Sequence, residues 1–129
     1  MLREYANTNV IKQEFRFLEE IYNLKIINES NLNYGAYLDY VGNGIKISLG
    51  FDYKDYFFYF YIFKGENTKY TDQDDANQKT FYDLALKENK NFDFTSLQPN
   101  NEGYLDALKN NASILQKYGK NILTGKEWF

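Results

Sequence analysis

Residues 34–64, YGAYLDYVGNGIKISLGFDYKDYFFYFYIFK, decide the fold. Asn43-Gly44 separates two alternating runs, and both residues tolerate the positive φ of a type I′ hairpin turn. With these two at the centre of the turn, Tyr40 falls opposite Ile47, Leu38 opposite Leu49 and Ala36 opposite Phe51 on one face. Val41, Asp39 and Tyr37 then meet Lys46, Ser48 and Gly50 on the other. A second turn at residues 52–55, DYKD, leads into a third strand. Pairing Phe51 with Tyr56 carries the register on through Leu49 with Phe58, Ile47 with Phe60 and Ile45 with Ile62. One face is then apolar across three strands. A slip of one residue would reverse every side chain, so the agreement of the two turns is informative.

Upstream, Ile11, Phe15, Leu18 and Tyr22 recur at helical spacing with Ile21 beside them, which predicts one amphipathic helix over residues 8–22. Asn7 or Thr8 supplies its N-cap. Glu19 and Glu20 point in different directions on such a helix and read as a solvated face. Residues 24–28, LKIIN, form a short strand, and the polar residues 29–33 turn the chain back, giving a four-stranded antiparallel meander.

Downstream, residues 65–78 are polar and acidic. Asp72, Asp74 and Asp75 invite comparison with a calcium loop, but Ala76, Asn77 and Asp83 stand where an oxygen ligand, a glycine and a glutamate are needed. Capping of the next helix by one of these aspartates is the better reading. That helix is expected over residues 77–88, burying Phe81, Leu84 and Ala85. A third helix, with Pro99 near its start, buries Tyr104, Leu105, Leu108, Ala112 and Leu115 and stops at Gly119. The terminal Trp128 and Phe129, with Ile122 and Leu123, suggest a docked tail. The fold class is therefore α+β in a single domain over residues 1–129: an N-terminal helix on a four-stranded antiparallel meander, followed by two C-terminal helices.

Composition narrows the function. The 129 residues include no cysteine and no histidine, which removes disulfides, thiolate metal sites and the usual neutral-pH base. No cofactor is expected. A net charge of −3 offers no clustered basic surface for nucleic acid. The longest apolar run, residues 56–63, is far short of the roughly 20 residues of a membrane helix. The opening MLREYANTNV is not a secretory leader, so a cytoplasmic location is expected.

Aromatic residues make up 19% of the chain, and they crowd the second sheet face. That face carries Tyr37, Asp39, Val41, Lys46, Ser48, Phe57, Tyr59, Tyr61 and Phe63. Tyr37, Asp39, Lys46, Ser48, Phe57, Tyr59 and Tyr61 are the candidate contacts for a protein partner, since tyrosine is a common interface anchor. Asp39 opposite Ser48, near Lys46, is the alternative nucleus for a small-molecule or carboxylate-based site. A third alternative is a homo-oligomer, such as a homodimer, joined through the strand at residues 56–63. That strand is aggregation-prone if left as an edge, so either a later segment such as residues 91–95 or another chain is expected to pair with it.

Taken together, FRFLEEIYNLKI at residues 15–26, the Tyr-Gly-Ala-Tyr strand, the Asn-Gly hairpin, FDYKD at residues 51–55 and NASILQKYGKNILTGKEWF at residues 111–129 resemble a loose group of small bacterial proteins. Some members of that group are thought to be immunity proteins, which neutralise a toxin of the same or a neighbouring cell. The resemblance covers residues 7–64 and 104–129 and transfers no functional residues. It implies a non-enzymatic protein that binds its partner, a toxin in the immunity case, through a surface.

Overall fold

The computed structural model describes residues 3–72 and 76–129. Asp74 and Asp75 lie outside the described residues, so nothing here bears on a role for them. Five antiparallel strands run in sequence order: β1 (Lys25–Leu32), β2 (Gly35–Gly42), β3 (Ile45–Asp52), β4 (Phe57–Lys64) and β5 (Gln78–Thr80). Five helical segments accompany them: α1 (Thr8–Glu14), α2 (Phe17–Glu20), α3 (Phe81–Glu88), α4 (Leu105–Tyr118) and α5 (Lys120–Leu123), with a 3-10 turn at Phe94–Leu97. Among the described residues, no helix is long and apolar enough to cross a membrane.

The β2–β3 hairpin forms as the turn residues require. Asn43 and Gly44 both take positive φ, 54° and 80°, and the pairs Tyr40–Ile47, Leu38–Leu49, Tyr37–Gly50 and Asp39–Ser48 all form. The β3–β4 register differs from expectation by two residues. Phe51 pairs with Phe58, Leu49 with Phe60 and Ile47 with Ile62, because the turn takes in Tyr53–Tyr56 and Tyr56 itself adopts φ 51°. An even shift leaves every side chain on its expected face. Ala36, Leu38, Tyr40, Ile47, Leu49, Phe51, Phe58, Phe60 and Ile62 are accordingly buried together.

The first strand is longer than residues 24–28. It runs through the segment expected to turn, with a bulge between Ile26 and Asn28, and reverses only after Leu32. Its polar residues hold α1. Thr8 N–H donates to Asn31 Oδ1 at 2.9 Å, and Thr8 Oγ1 donates to Glu29 Oε2 at 2.6 Å. That hydroxyl, with the Lys12 ammonium, holds the Glu29 carboxyl below the usual range. The bulge and the charged Lys25 and Glu29 also make this edge a poor template for a further strand.

The single N-terminal helix expected over residues 8–22 is broken at Phe15–Arg16 into α1 and α2. Phe15, Phe17 and Leu18 are all buried, and two residues two apart on a straight helix point to nearly opposite sides. The break lets all three reach the core, and Ile21, expected beside the stripe, is 66% exposed. Asn7 is the N-cap, accepting from Val10 N–H at 3.1 Å.

The second expected helix also begins later. Gln78–Thr80 form β5 instead, pairing with Tyr61–Phe63, and α3 starts at Phe81. Thr80 holds the N-cap and closes a capping box with Asp83. Pro99 lies ahead of α4, not at its start, and Leu105 faces solvent where burial was expected. Leu108, Ala112 and Leu115 are buried as the spacing requires. Gly119 ends α4 because a Cβ there would lie 2.5 Å from Leu115 O. The tail is docked, with Trp128 Nε1 donating to Ala76 O at 2.7 Å.

Cover for β4 comes from an unexpected place. Residues 91–95 do not pair with it. Beyond the end of β5, the Gln98 side chain takes the role of a strand backbone: its Oε1 accepts from Phe58 N–H at 2.7 Å and its Nε2 donates to Phe58 O at 3.0 Å. β4 thus has β3 on one side and, over Tyr61–Phe63, β5 on the other.

Leu49 sits at the middle of this core, 1% exposed. Leu49→Ala should cost about 2–5 kcal/mol in urea unfolding, and a loss below about 1 kcal/mol would contradict the register. Tyr40 is fully buried and its hydroxyl, among the described residues, has no hydrogen-bond partner. Leaving such a group unpaired costs about 1–3 kcal/mol, so Tyr40→Phe should hold or raise stability in the same assay. A clear loss would show that the hydroxyl is satisfied.

Candidate protein-binding face

All five helical segments contribute to one hydrophobic cluster with the apolar sheet face. Phe15 of the α1–α2 junction meets the Phe60 ring edge-on at 5.8 Å, Phe81 of α3 approaches Phe60 at 5.5 Å, and Tyr104 ahead of α4 lies 5.7 Å from Phe51. The helices therefore form one layer and the sheet a second.

All seven expected contact residues stand on the sheet's other face, because they occupy alternate positions of β2, β3 and β4; Tyr59 is exposed and the other six are half-buried. Three cross-strand rows organise six of them, and Phe57 stands opposite Asp52. The first is Tyr37–Gly50–Tyr59. Gly50 has no side chain to separate the two tyrosines, and the Tyr37 ring lies over it: a Cβ at Gly50 would meet Tyr37 Cδ1 at 3.1 Å and Cε1 at 3.3 Å. The second row is Asn28–Asp39–Ser48–Tyr61–Thr80. Ser48 Oγ donates to Asp39 Oδ1 at 2.6 Å and Asn28 Nδ2 donates to Asp39 Oδ2 at 2.9 Å. Both oxygens of Asp39 are engaged within the sheet. The third row sets Val41 beside Lys46 and Phe63, with Lys46 Nζ 4.6 Å above the Phe63 ring. Phe63 is buried although it lies on this face, and the Lys46 ammonium makes a cation–π contact with its ring.

The aromatic side chains support one another. Phe57 and Tyr59 lie 4.8 Å apart, and Tyr59 Oη donates to Asp55 Oδ2 at 3.4 Å. Tyr61 packs on Tyr70 at 5.2 Å, and Phe57 on Phe94 at 6.1 Å. Tyr70 and Phe94 are the members that periodicity does not reveal. They come from irregular segments, where an aromatic residue with no neighbouring pattern carries no sign of the face it will join.

Burial raises the Tyr37, Tyr59 and Tyr61 phenols above the usual tyrosine value, with Asp52 adding to the effect at Tyr37 and Asp55 at Tyr59. The face therefore presents neutral phenols, able to donate or accept, throughout the neutral pH range. Comparison with protein-family models, curated proteins and solved structures gives no match.

Raised folded-state values mean that the unfolded chain loses these protons first. The stabilisation is complete below the ordinary tyrosine value near 10 and is lost as pH rises through the folded values. Tyrosinate absorbance should accordingly lag behind that of free tyrosine during alkaline titration and catch up as the protein unfolds. All 13 tyrosines ionising together near pH 10 in a still-folded protein would contradict the packing of this face.

Proposed function

We propose that the protein is a non-enzymatic binding module that engages a protein partner through the second face of its sheet. Tyr37, Phe57, Tyr59 and Tyr61 are its aromatic anchors, and Asp39, Lys46 and Ser48 its polar contacts. The observation that carries this reading is the one-sided packing. Among the described residues, the helices bury their apolar side chains with one face, while the other keeps Tyr59 exposed and Tyr37, Phe57 and Tyr61 half-buried on a rigid five-stranded sheet. Large aromatic side chains on a rigid support lose little freedom on binding, and such residues dominate interface energetics.

The state of Asp39 supports a binding role over a carboxylate-based reaction. Ser48 and Asn28 hold it as a hydrogen-bond acceptor within the sheet. The sequence resemblance gives the binding reading its specific form: a cytoplasmic immunity protein that occupies a bacterial toxin.

The test is capture of partners from the native cell on tagged protein, beside a variant with Tyr59→Ala and Tyr61→Ala. A specific partner held by the native protein and lost by the variant, with the thermal midpoints within a few degrees, is the expected result. A partner retained by a folded variant would place the interface elsewhere.

A further inference from the structure

Beside β4, where β5 ends and the Gln98 side chain takes over, a half-open cleft of about 130 Å³ lies between the sheet edge, α3 and α4. Phe58, Phe60, Phe81, Tyr82 and Leu97 supply much of its wall, and Asn111 reaches it from α4. Its size is close to that of an engineered apolar cavity, about 150 Å³, that takes up one benzene ring.

Asn111 gives the cleft chemical direction. The residue is only 2% exposed. Its Nδ2 donates to Leu97 O at 2.9 Å and to Ala107 O at 2.8 Å, so both N–H groups are used and the identity of the oxygen is fixed. Among the described residues, no donor reaches Oδ1. That oxygen is also not among the side-chain atoms sealed from solvent without a partner, a state found only for the Tyr40 hydroxyl. It therefore faces the cleft as an acceptor waiting for a donor. Two other polar groups of the wall are committed, Gln98 to the Phe58 backbone and the Thr80 hydroxyl to Asp83.

We propose that this cleft binds a single aromatic ring carrying one hydrogen-bond donor, a phenol-type group, with the ring among Phe58, Phe60 and Phe81 and the donor on Asn111 Oδ1. The fit follows from size, apolar lining and one unpaired acceptor. A ring without a donor leaves Oδ1 unpaired, and one with a donor in a wholly apolar cleft would bury an unpaired hydroxyl. Either a free phenol-type molecule or a tyrosine side chain on a peptide supplies this chemistry.

Amide and methyl chemical shifts of the native protein, titrated with phenol and separately with toluene, test the inference. Phenol should perturb Phe58, Phe60, Phe81 and Leu97 and bind about threefold or more tightly than toluene, the gain of one neutral hydrogen bond. Perturbations elsewhere, none at all, or equal or tighter binding of toluene would overturn it. Asn111→Leu, checked for a native spectrum, should reverse the preference. If that variant does not fold, the two ligands on the native protein still decide. N-acetyl-tyrosinamide separates the sources: binding at the same residues assigns the cleft to a peptide side chain, and phenol binding alone assigns it to a free small molecule. Phe57, Tyr59 and Tyr61 of the sheet's second face also line the cleft, but the titrations use the native protein and read out at Phe58, Phe60, Phe81 and Leu97, whereas partner capture reads out through Tyr59 and Tyr61, so the two readings fail separately.

Discussion

The pairing of β2 with β3 about Asn43 and Gly44 is the constraint on which the rest of the structure depends. Once Leu38 faces Leu49, the alternation of the strand sends Tyr40, Ile47 and Phe51 to the helices and Tyr37, Asp39, Lys46 and Ser48 away from them. The turn does more than set this register. Asn43 Nδ2 donates to Tyr22 O at 3.0 Å and to Leu123 O at 2.9 Å, joining the end of the α1–α2 unit and the end of α5 to the same hairpin tip. Gly125 passes so close that a Cβ would lie 2.5 Å from Asn43 O. Chain segments far apart in sequence are thus located by one asparagine.

A sheet built from so many aromatic residues must also manage its edges. The two edges are handled differently. β1 is polar, bulged and charged, so it resists pairing while anchoring α1 through Glu29 and Asn31. β4, the most apolar strand, is covered in part by backbone and in part by a side chain. Three residues of β5 cover its later half, and one glutamine side chain satisfies Phe58 where β5 has ended. The cleft beside β4 is a consequence of that change from backbone cover to side-chain cover.

Much of this was legible in the residues. A two-residue turn with two left-handed positions has one register, so the β2–β3 pairing and the composition of both faces follow from Asn43-Gly44. The β3–β4 offset was not legible, because Tyr56 adopts a left-handed conformation that tyrosine has no intrinsic tendency to favour. The faces survived since the offset was even. β1 was read too short because its polar residues pair by backbone and show no apolar alternation. The broken first helix did leave a sign in Phe17, an apolar residue off the stripe of Ile11, Phe15 and Leu18. Of the second face, the strand residues were readable from alternation. Tyr70 and Phe94 were not, since loops carry no period, and the open acceptor on Asn111 depends on where Leu97 places its carbonyl.

The functional account rests on a division of labour between two faces of one sheet. Phe58 and Phe60 belong to the core, whereas Tyr59, 38% exposed, stands between them in sequence and on the opposite side in space. Relaxation of aromatic ring protons by a soluble paramagnetic agent reads this division directly. The account predicts strong relaxation of Tyr59 and little at Phe58 or Phe60 in the monomer; a Tyr59 ring as protected as its neighbours would mean that something covers the face, and the binding surface argued from it would not exist.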